Sequence, residues 1–229
     1  MTGTARPSIV PVADHALFVE FVGAPTALDR VSALDAALSC SGAHGLAEVV
    51  PAVSGVLVEF DPLVTDHATV ERVVREALLA EQVPIPPTRH VVDVCYEPPF
   101  APDLAEVAMS TGLAPDQIGE IHSSVTYRVA NHGFAPGYTY LVGTPTELAL
   151  ARRPAPGPPI PAGSVIVAGL QCLVIPVAMS TGWFAIGRSP LSVFDPNGDR
   201  PSPFDVGDII EFRSIGADQM PDHHGRSAR

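Results

Sequence analysis

The sequence predicts an α+β protein in two units with a polar tail. A small N-terminal α+β domain of the split-βαβ kind covers residues 1–85. An all-β barrel or closed sheet covers residues 86–215, and a polar tail covers 216–229. Three observations carry this. Helical and strand patterns alternate in the first eighty residues. Pro84, Pro86 and Pro87 then break the chain, which sets a domain boundary between about 82 and 89. From 124 to 213, short apolar runs separated by Gly and Pro replace helical periodicity.

The elements follow in order. Residues 16–22 alternate as a strand. Thr26 is placed as an N-cap, with Asp29 three residues on and Leu28, Val31, Leu34 and Leu38 marking one helical face. Apolar runs at 48–53 and 56–60, parted by Ser54-Gly55, predict a hairpin. A second helix spans about 66–81, with Val70, Val73, Val74, Ala77 and Leu78 on one side. A strand at 89–96 opens the second unit, and short helices follow near 101–111 and 115–122, the latter started by Pro115. Strands are then expected at 125–129, 164–168, 173–177, 183–186, 191–194 and 209–212. The polar stretch after Ile215 is expected to be a mobile end.

Composition excludes several function classes. All 13 basic residues are Arg, so the chain offers no Lys for a Schiff base, a biotin attachment, a P-loop or a Ser/Lys amidase nucleophile. A net charge of −12 without a basic stripe argues against nucleic-acid binding. No signal peptide or run of 18 apolar residues occurs, so no membrane span and a cytoplasmic location are expected. Cys40, Cys95 and Cys172 fit no zinc or redox spacing and are expected as buried reduced thiols; no metal site is predicted. No nucleophile elbow, phosphate loop or H-E-x-x-H is present, so a self-contained enzyme of a common class is not expected.

The unusual residues concentrate in the second half. Segment 131–143, Asn-His-Gly-Phe-Ala-Pro-Gly-Tyr-Thr-Tyr-Leu-Val-Gly, sets aromatics between Gly and Pro. Gly133 and Gly137 would let backbone approach a ligand, and Tyr138 and Tyr140 would flank a flat polar molecule. A tight loop capping the barrel is the alternative. His122 can be a base, a ligand or a satisfied core residue, and His132 offers the same choice. Arg152 and Arg153 precede a Pro-rich linker. Arg188 stands at an expected strand end, to hold an anion or to pair with Asp195 or Asp199. Gln171 lies in an apolar context, where a buried amide needs partners or binds something.

The same residues resemble one family. His122-Ser-Ser-Val-Thr-Tyr-Arg-Val129, Gly133-Phe-Ala-Pro-Gly137, Pro161-Ala-Gly-Ser-Val165, Gly182-Trp183, Ile186-Gly-Arg-Ser-Pro-Leu191 and Phe194-Asp-Pro196 resemble the pattern shared by allophanate hydrolase subunit 1, KipI and the 5-oxoprolinase B subunit. The resemblance implies a cyclophilin-like β-barrel as the second domain and a likeness to the carboxyltransferase region of urea carboxylase. It implies a heteromer with an allophanate hydrolase subunit 2-like protein, with a LamB/YcsF-type third subunit as a further candidate. It implies that the assembly consumes ATP on an amide or lactam such as 5-oxoproline; a KipI-like inhibitor of a histidine kinase is the alternative. By position it proposes His122, Gln171 and Arg188 as catalytic, and Tyr127, Phe134, Gly137 and Tyr138 as substrate-binding. Arg188 would orient an anionic group, Gln171 would hydrogen-bond an amide, and His122 would shuttle a proton or position a partner residue. The family's Gly-Gly after Cys-Tyr is here Glu97-Pro98, and its Gly-Gln-Thr-Gly is Leu170-Gln171-Cys172-Leu173.

Overall fold

The computed structural model describes residues 6–21, 23, 26–80 and 86–221. It separates into two compact units, Met1–Pro87 and Thr88–Arg229.

The first unit is a four-stranded sheet carrying two helices. Strand β1 is Ser8–Val12, β2 Ala16–Glu20, helix α1 Ala27–Ser39, β3 Leu46–Pro51, β4 Gly55–Phe60 and helix α2 His67–Leu79. The sheet order is β1-β2-β4-β3 with every pair antiparallel. Thus β2 and β3, joined through α1, run parallel with β4 inserted between them, which is the split βαβ arrangement. Val31, Leu34 and Leu38 recur at helical spacing on α1, and Val70 and Val74 on α2. They pack on Leu17, Val19, Val56 and Val58, the alternate residues of the two central strands. Asp66 caps α2 by accepting the Thr69 N–H at 2.8 Å.

The second unit is a seven-stranded sheet that closes on itself. Its elements are β5 Arg89–Val94, α3 Leu104–Thr111, α4 Pro115–Ser123, β6 Thr126–His132, β7 Thr139–Val142, β8 Ser164–Ala168, β9 Gln171–Val174, β10 Phe184–Arg188 and β11 Ile209–Ser214. The order is β10-β8-β9-β7-β6-β11-β5, antiparallel except for the β11–β5 pair. The two end strands meet where Cys95 and Arg188 exchange both backbone hydrogen bonds at 2.9 Å. This seam makes the sheet nearly a barrel.

Period-two alternation then divides the side chains. Val165 and Val167 of β8 fill the interior with Tyr127, Ile186 and Phe212. Ile166, Leu173, Ile175 and Ala185 pack on the outside beneath Tyr138. Helices α3 and α4 add Val107 and Ile118 to the interior core.

The structure departs from the sequence reading in specific places. Strand β1 was not expected, because Pro11 and its exposed neighbours give little burial signal. Thr26 makes no side-chain cap hydrogen bond to α1. The aromatic segment 131–143 contains strand β7, while 191–194 is not a strand. Beyond Ile215, Ala217–Gln219 forms a 3-10 turn and Met220 is buried, so the described part of the tail is ordered; residues 222–229 lie outside the described residues. Cys95 and Cys172 are buried free thiols, but Cys40 is exposed.

Candidate functional site

The segment after β6 turns tightly back into β7. Ala135-Pro-Gly-Tyr138 forms a turn in which the Tyr138 N–H donates to the Ala135 carbonyl at 3.0 Å. Gly137 sits at φ +77° there, where Pro at the second position and Gly at the third suit a type II turn. A Cβ at Gly137 would also stand 2.4 Å from the Phe194 Cβ. The neighbouring Phe134 is held at φ +71° with its ring 77% exposed. The left-handed region costs a residue with a Cβ about 1–2 kcal/mol, and here that strain presents an aromatic ring to water.

Phe134 begins a ladder on the outside of the barrel. Ring centroids lie 5.2 Å apart for Phe134–Tyr138, 5.5 Å for Tyr138–Tyr140 and 6.0 Å for Tyr140–Trp183. Burial pushes the Tyr138 hydroxyl up to about 12, against the opposing pull of nearby Arg152. Arg152 acts on Tyr140 as well, and its Nε lies where a Cβ at Gly182 would come within 3.0 Å. Adjacent Arg153 is committed: it pairs with Asp103 at 2.9 Å and with Glu106, and its guanidinium lies 4.2 Å over the Phe184 ring. Arg152 is exposed and forms no ion pair among the described residues. An uncommitted cation beside stacked rings suits a flat ligand that carries a carboxylate.

Gln171 belongs to the same face. It begins β9 opposite Val142, on the β8–β9 hairpin, and shares the outward parity of Leu173. That places it about 7 Å along the strands from the level of Tyr140, at two residues' rise. It is half-exposed rather than buried in apolar surroundings, which corrects the sequence reading.

Arg188 lies at the opposite end of β8 from Gln171. It pairs with Ser164 at one end of β8, whereas Gln171 pairs with Ala168 at the other, roughly 13 Å away at 3.3 Å per residue. Its Nε donates to the Ala162 carbonyl at 3.3 Å, and desolvation lowers its pKa. Neither Asp195 nor Asp199 pairs with it, and no carboxylate does so among the described residues.

His122 and Tyr127 are inside the barrel. His122 is fully buried near the end of α4, its Nδ1 2.8 Å from the Tyr96 hydroxyl and its ring against Tyr127 and Phe212. The Tyr127 hydroxyl donates to the His122 carbonyl at 3.0 Å. Desolvation drops the His122 pKa to about 3, so the ring is neutral near pH 7. His132 instead meets Thr139 Oγ1 at 3.0 Å. The fold therefore brings Phe134, Gly137, Tyr138 and Gln171 onto one face, separates Gln171 from Arg188 along β8, and separates this face from the His122–Tyr127 core.

Two open clefts occur nearby. One of about 410 Å³ is lined by Tyr96, Glu97, Asp116 and Glu120, an acidic wall unsuited to an anion. The other, about 490 Å³, has Arg213, but that guanidinium is held by Asp93 at 2.6 and 2.9 Å. Among the described residues no group of three or more His, Cys, Asp or Glu could hold a metal ion, and no helix is long and apolar enough to cross a membrane.

Sequence reasoning singled out neither Arg152 nor Trp183 as a site residue. The Arg152-Arg153 doublet was visible, but only tertiary contacts reveal that one Arg is paired and the other is not.

Comparison with known proteins adds the following. The family model for the carboxyltransferase domain, subdomain C and D, matches residues 7–204. The 5-oxoprolinase B subunit of Bacillus subtilis is 37% identical over 185 residues, 75% of this chain and 76% of that protein. The 5-oxoprolinase B subunit of Haemophilus influenzae is 31% identical over 208 residues, 90% of this chain and 96% of that protein. The crystal structure of TTHA0988 superposes with a TM-score of 0.79 at 29% identity over 88% of this chain; the match spans 40% of that longer chain. The Kluyveromyces lactis urea amidolyase shares the fold at a TM-score of 0.70 and 15% identity, over 93% of this chain and 15% of that one.

Proposed function

This chain belongs to the carboxyltransferase subdomain C and D family, and on that premise we propose that it is the B-type subunit of a 5-oxoprolinase-type enzyme. In this reading it shares a composite site with a larger, subunit 2-like partner in an ATP-consuming assembly; a LamB/YcsF-type protein is the candidate third subunit. One observation carries the substrate class: the exposed, uncommitted Arg152 beside the Tyr138–Tyr140–Trp183 ladder.

The chemistry is consistent. 5-Oxoproline is a flat five-membered lactam bearing one carboxylate. Arg152 would take the carboxylate through charge-assisted hydrogen bonds, and the ring would lie on the tyrosines under Phe134. Gln171 would hydrogen-bond the lactam amide from the hairpin. Arg188, at the far end of β8 from Gln171, is assigned an anionic group on the partner side. His122, neutral and enclosed, would hold Tyr96 and the α4 end in place rather than exchange protons with solvent.

ATP would supply the energy for opening a resonance-stabilised amide. This chain has no lysine, and its described helices have no glycine-rich phosphate loop at their N-termini. The nucleotide is therefore assigned to another chain of the assembly.

The test is to purify the chain together with the subunit 2-like protein and the third subunit of the same organism. ATP hydrolysis is then measured with and without 5-oxoproline. Lactam-dependent turnover is expected, and Arg152→Gln should raise KM for 5-oxoproline on the order of tenfold or more, the loss of a hydrogen bond to a charged group. A stable assembly indifferent to 5-oxoproline, or an Arg152→Gln enzyme with unchanged KM, would overturn the assignment.

A further inference from the structure

We infer that the open face of the N-terminal four-stranded sheet docks a different polypeptide, one presenting an apolar ridge bordered by basic side chains. This deepens the proposed function and rests on it in one respect: the polypeptide is identified as the larger subunit of the assembly.

Within this unit the helices cover one side of the sheet only. Leu17 and Val19 of β2 and Val56 and Val58 of β4 face the helices and are fully buried. The alternate residues face the other way. Along the register, Val10 stands opposite Phe18, Phe18 opposite Leu57, and Leu57 opposite Val50. One apolar row thus crosses all four strands. Val10 is 49% exposed, and Phe18, Leu57 and Val50 are half-buried. The Phe18 ring is held over the neighbouring strand, where a Cβ on Gly55 would come within 2.5 Å of it. Single exposed apolar residues are ordinary, but a continuous row across a whole sheet face marks an interaction surface.

Acids border the row on both sides. Glu20 lies on one flank, two residues along from Phe18. Glu59 and Glu48 lie on the other, and they are direct cross-strand partners. None of the three has an ion pair among the described residues, and no Arg holds a strand position on this face. Like charges directly opposite each other destabilise a sheet, and a cation brought by a partner would relieve the pair.

That arrangement decides the occupant. A second copy of this chain would set the same Glu48–Glu59 pair and the same apolar row against this one, between molecules of net charge −12. The face is complementary instead to a partner whose Arg or Lys side chains flank an apolar stretch. In the solved relative TTHA0988 the match spans 40% of the chain, so further polypeptide accompanies this fold there.

The experiment uses the full chain and the subunit 2-like protein of the same organism. Kd is measured for the wild type, for Glu48→Lys/Glu59→Lys and for Val10→Asp, alongside thermal unfolding of each free chain. The double reversal keeps a like-charge pair within the sheet, so the free chain should unfold as the wild type does. Its complex should weaken at least thirtyfold, and the wild-type Kd should rise with salt. Val10→Asp should weaken the complex about tenfold. If the wild-type complex forms and both variants bind within twofold of it, this inference falls while the assembly reading stands. If no complex forms with the wild type, the assembly reading itself fails and takes the inference with it. If sedimentation instead detects a dimer of the free chain that Val10→Asp abolishes, the occupant is a second copy and the inference is wrong.

Discussion

His122 offers the sharpest test of the barrel interior. The ring is fully buried against Tyr96, Tyr127 and Phe212, with no charged group among these contacts to offset protonation. Its pKa falls from 6.5 to about 3, with desolvation as the cause. The sign follows directly. Below pH 6.5 the unfolded chain takes a proton at this site, and the native protein refuses it until about pH 3. Stability therefore declines as pH falls through that window, by about 1.4 kcal/mol per unit for one proton, or about 2.7 kcal/mol between pH 6.5 and 4.5.

Carboxylates and other histidines titrate in the same range, so the contribution is isolated as a difference. His122→Asn keeps a hydrogen-bonding group for Tyr96 and removes the ionisable ring. At pH 7 the variant should be less stable by about 2–3 kcal/mol, for the ring volume lost from the core. Toward pH 4.5 that gap should close by about 2.7 kcal/mol. Trp183 is the single tryptophan and lies in the second unit, so its fluorescence in urea titrations reports this unit alone. A gap that stays constant within about 0.5 kcal/mol across this pH range would refute the account of a neutral, enclosed His122.

Two further predictions concern the second unit. Gly137→Ala combines a left-handed backbone with a contact against the Phe194 Cβ, so it should cost about 2–4 kcal/mol in urea unfolding and raise the 5-oxoproline KM of the assembly by displacing Phe134. Arg153→Met removes the pairs with Asp103 and Glu106 and the stacking on Phe184; a loss of about 1–2 kcal/mol is expected, halved or less in 1 M salt for its ionic part.

Much of the architecture was readable without coordinates. Period-two and period-3.6 patterns are local properties of the chain, so α1, α2 and the β3–β4 hairpin follow from residues close in sequence. Strand β8 was placed at 164–168 by the run Ser-Val-Ile-Val-Ala, whose side chains are all buried. Burial on both faces leaves a continuous apolar run instead of an alternation, and that run is itself the signal. Strand β7 escaped because Gly, Pro and Tyr dominate its surroundings, and these residues mark turns more strongly than they mark four-residue strands.

The sequence by itself determined the α+β character, the lack of lysine among its 229 residues and the family, because composition and short motifs survive without any knowledge of packing. Only the tertiary structure decided which candidates share a face and which are enclosed. His122 and Gln171 are both polar residues in apolar contexts, yet one faces the barrel interior and the other a hairpin on its outer side. Arg152 and Arg153 are neighbours in sequence, yet only Arg153 reaches Asp103 and Glu106, nearly fifty residues away. Exposure and charge pairing are set by long-range contacts, and no local pattern encodes them.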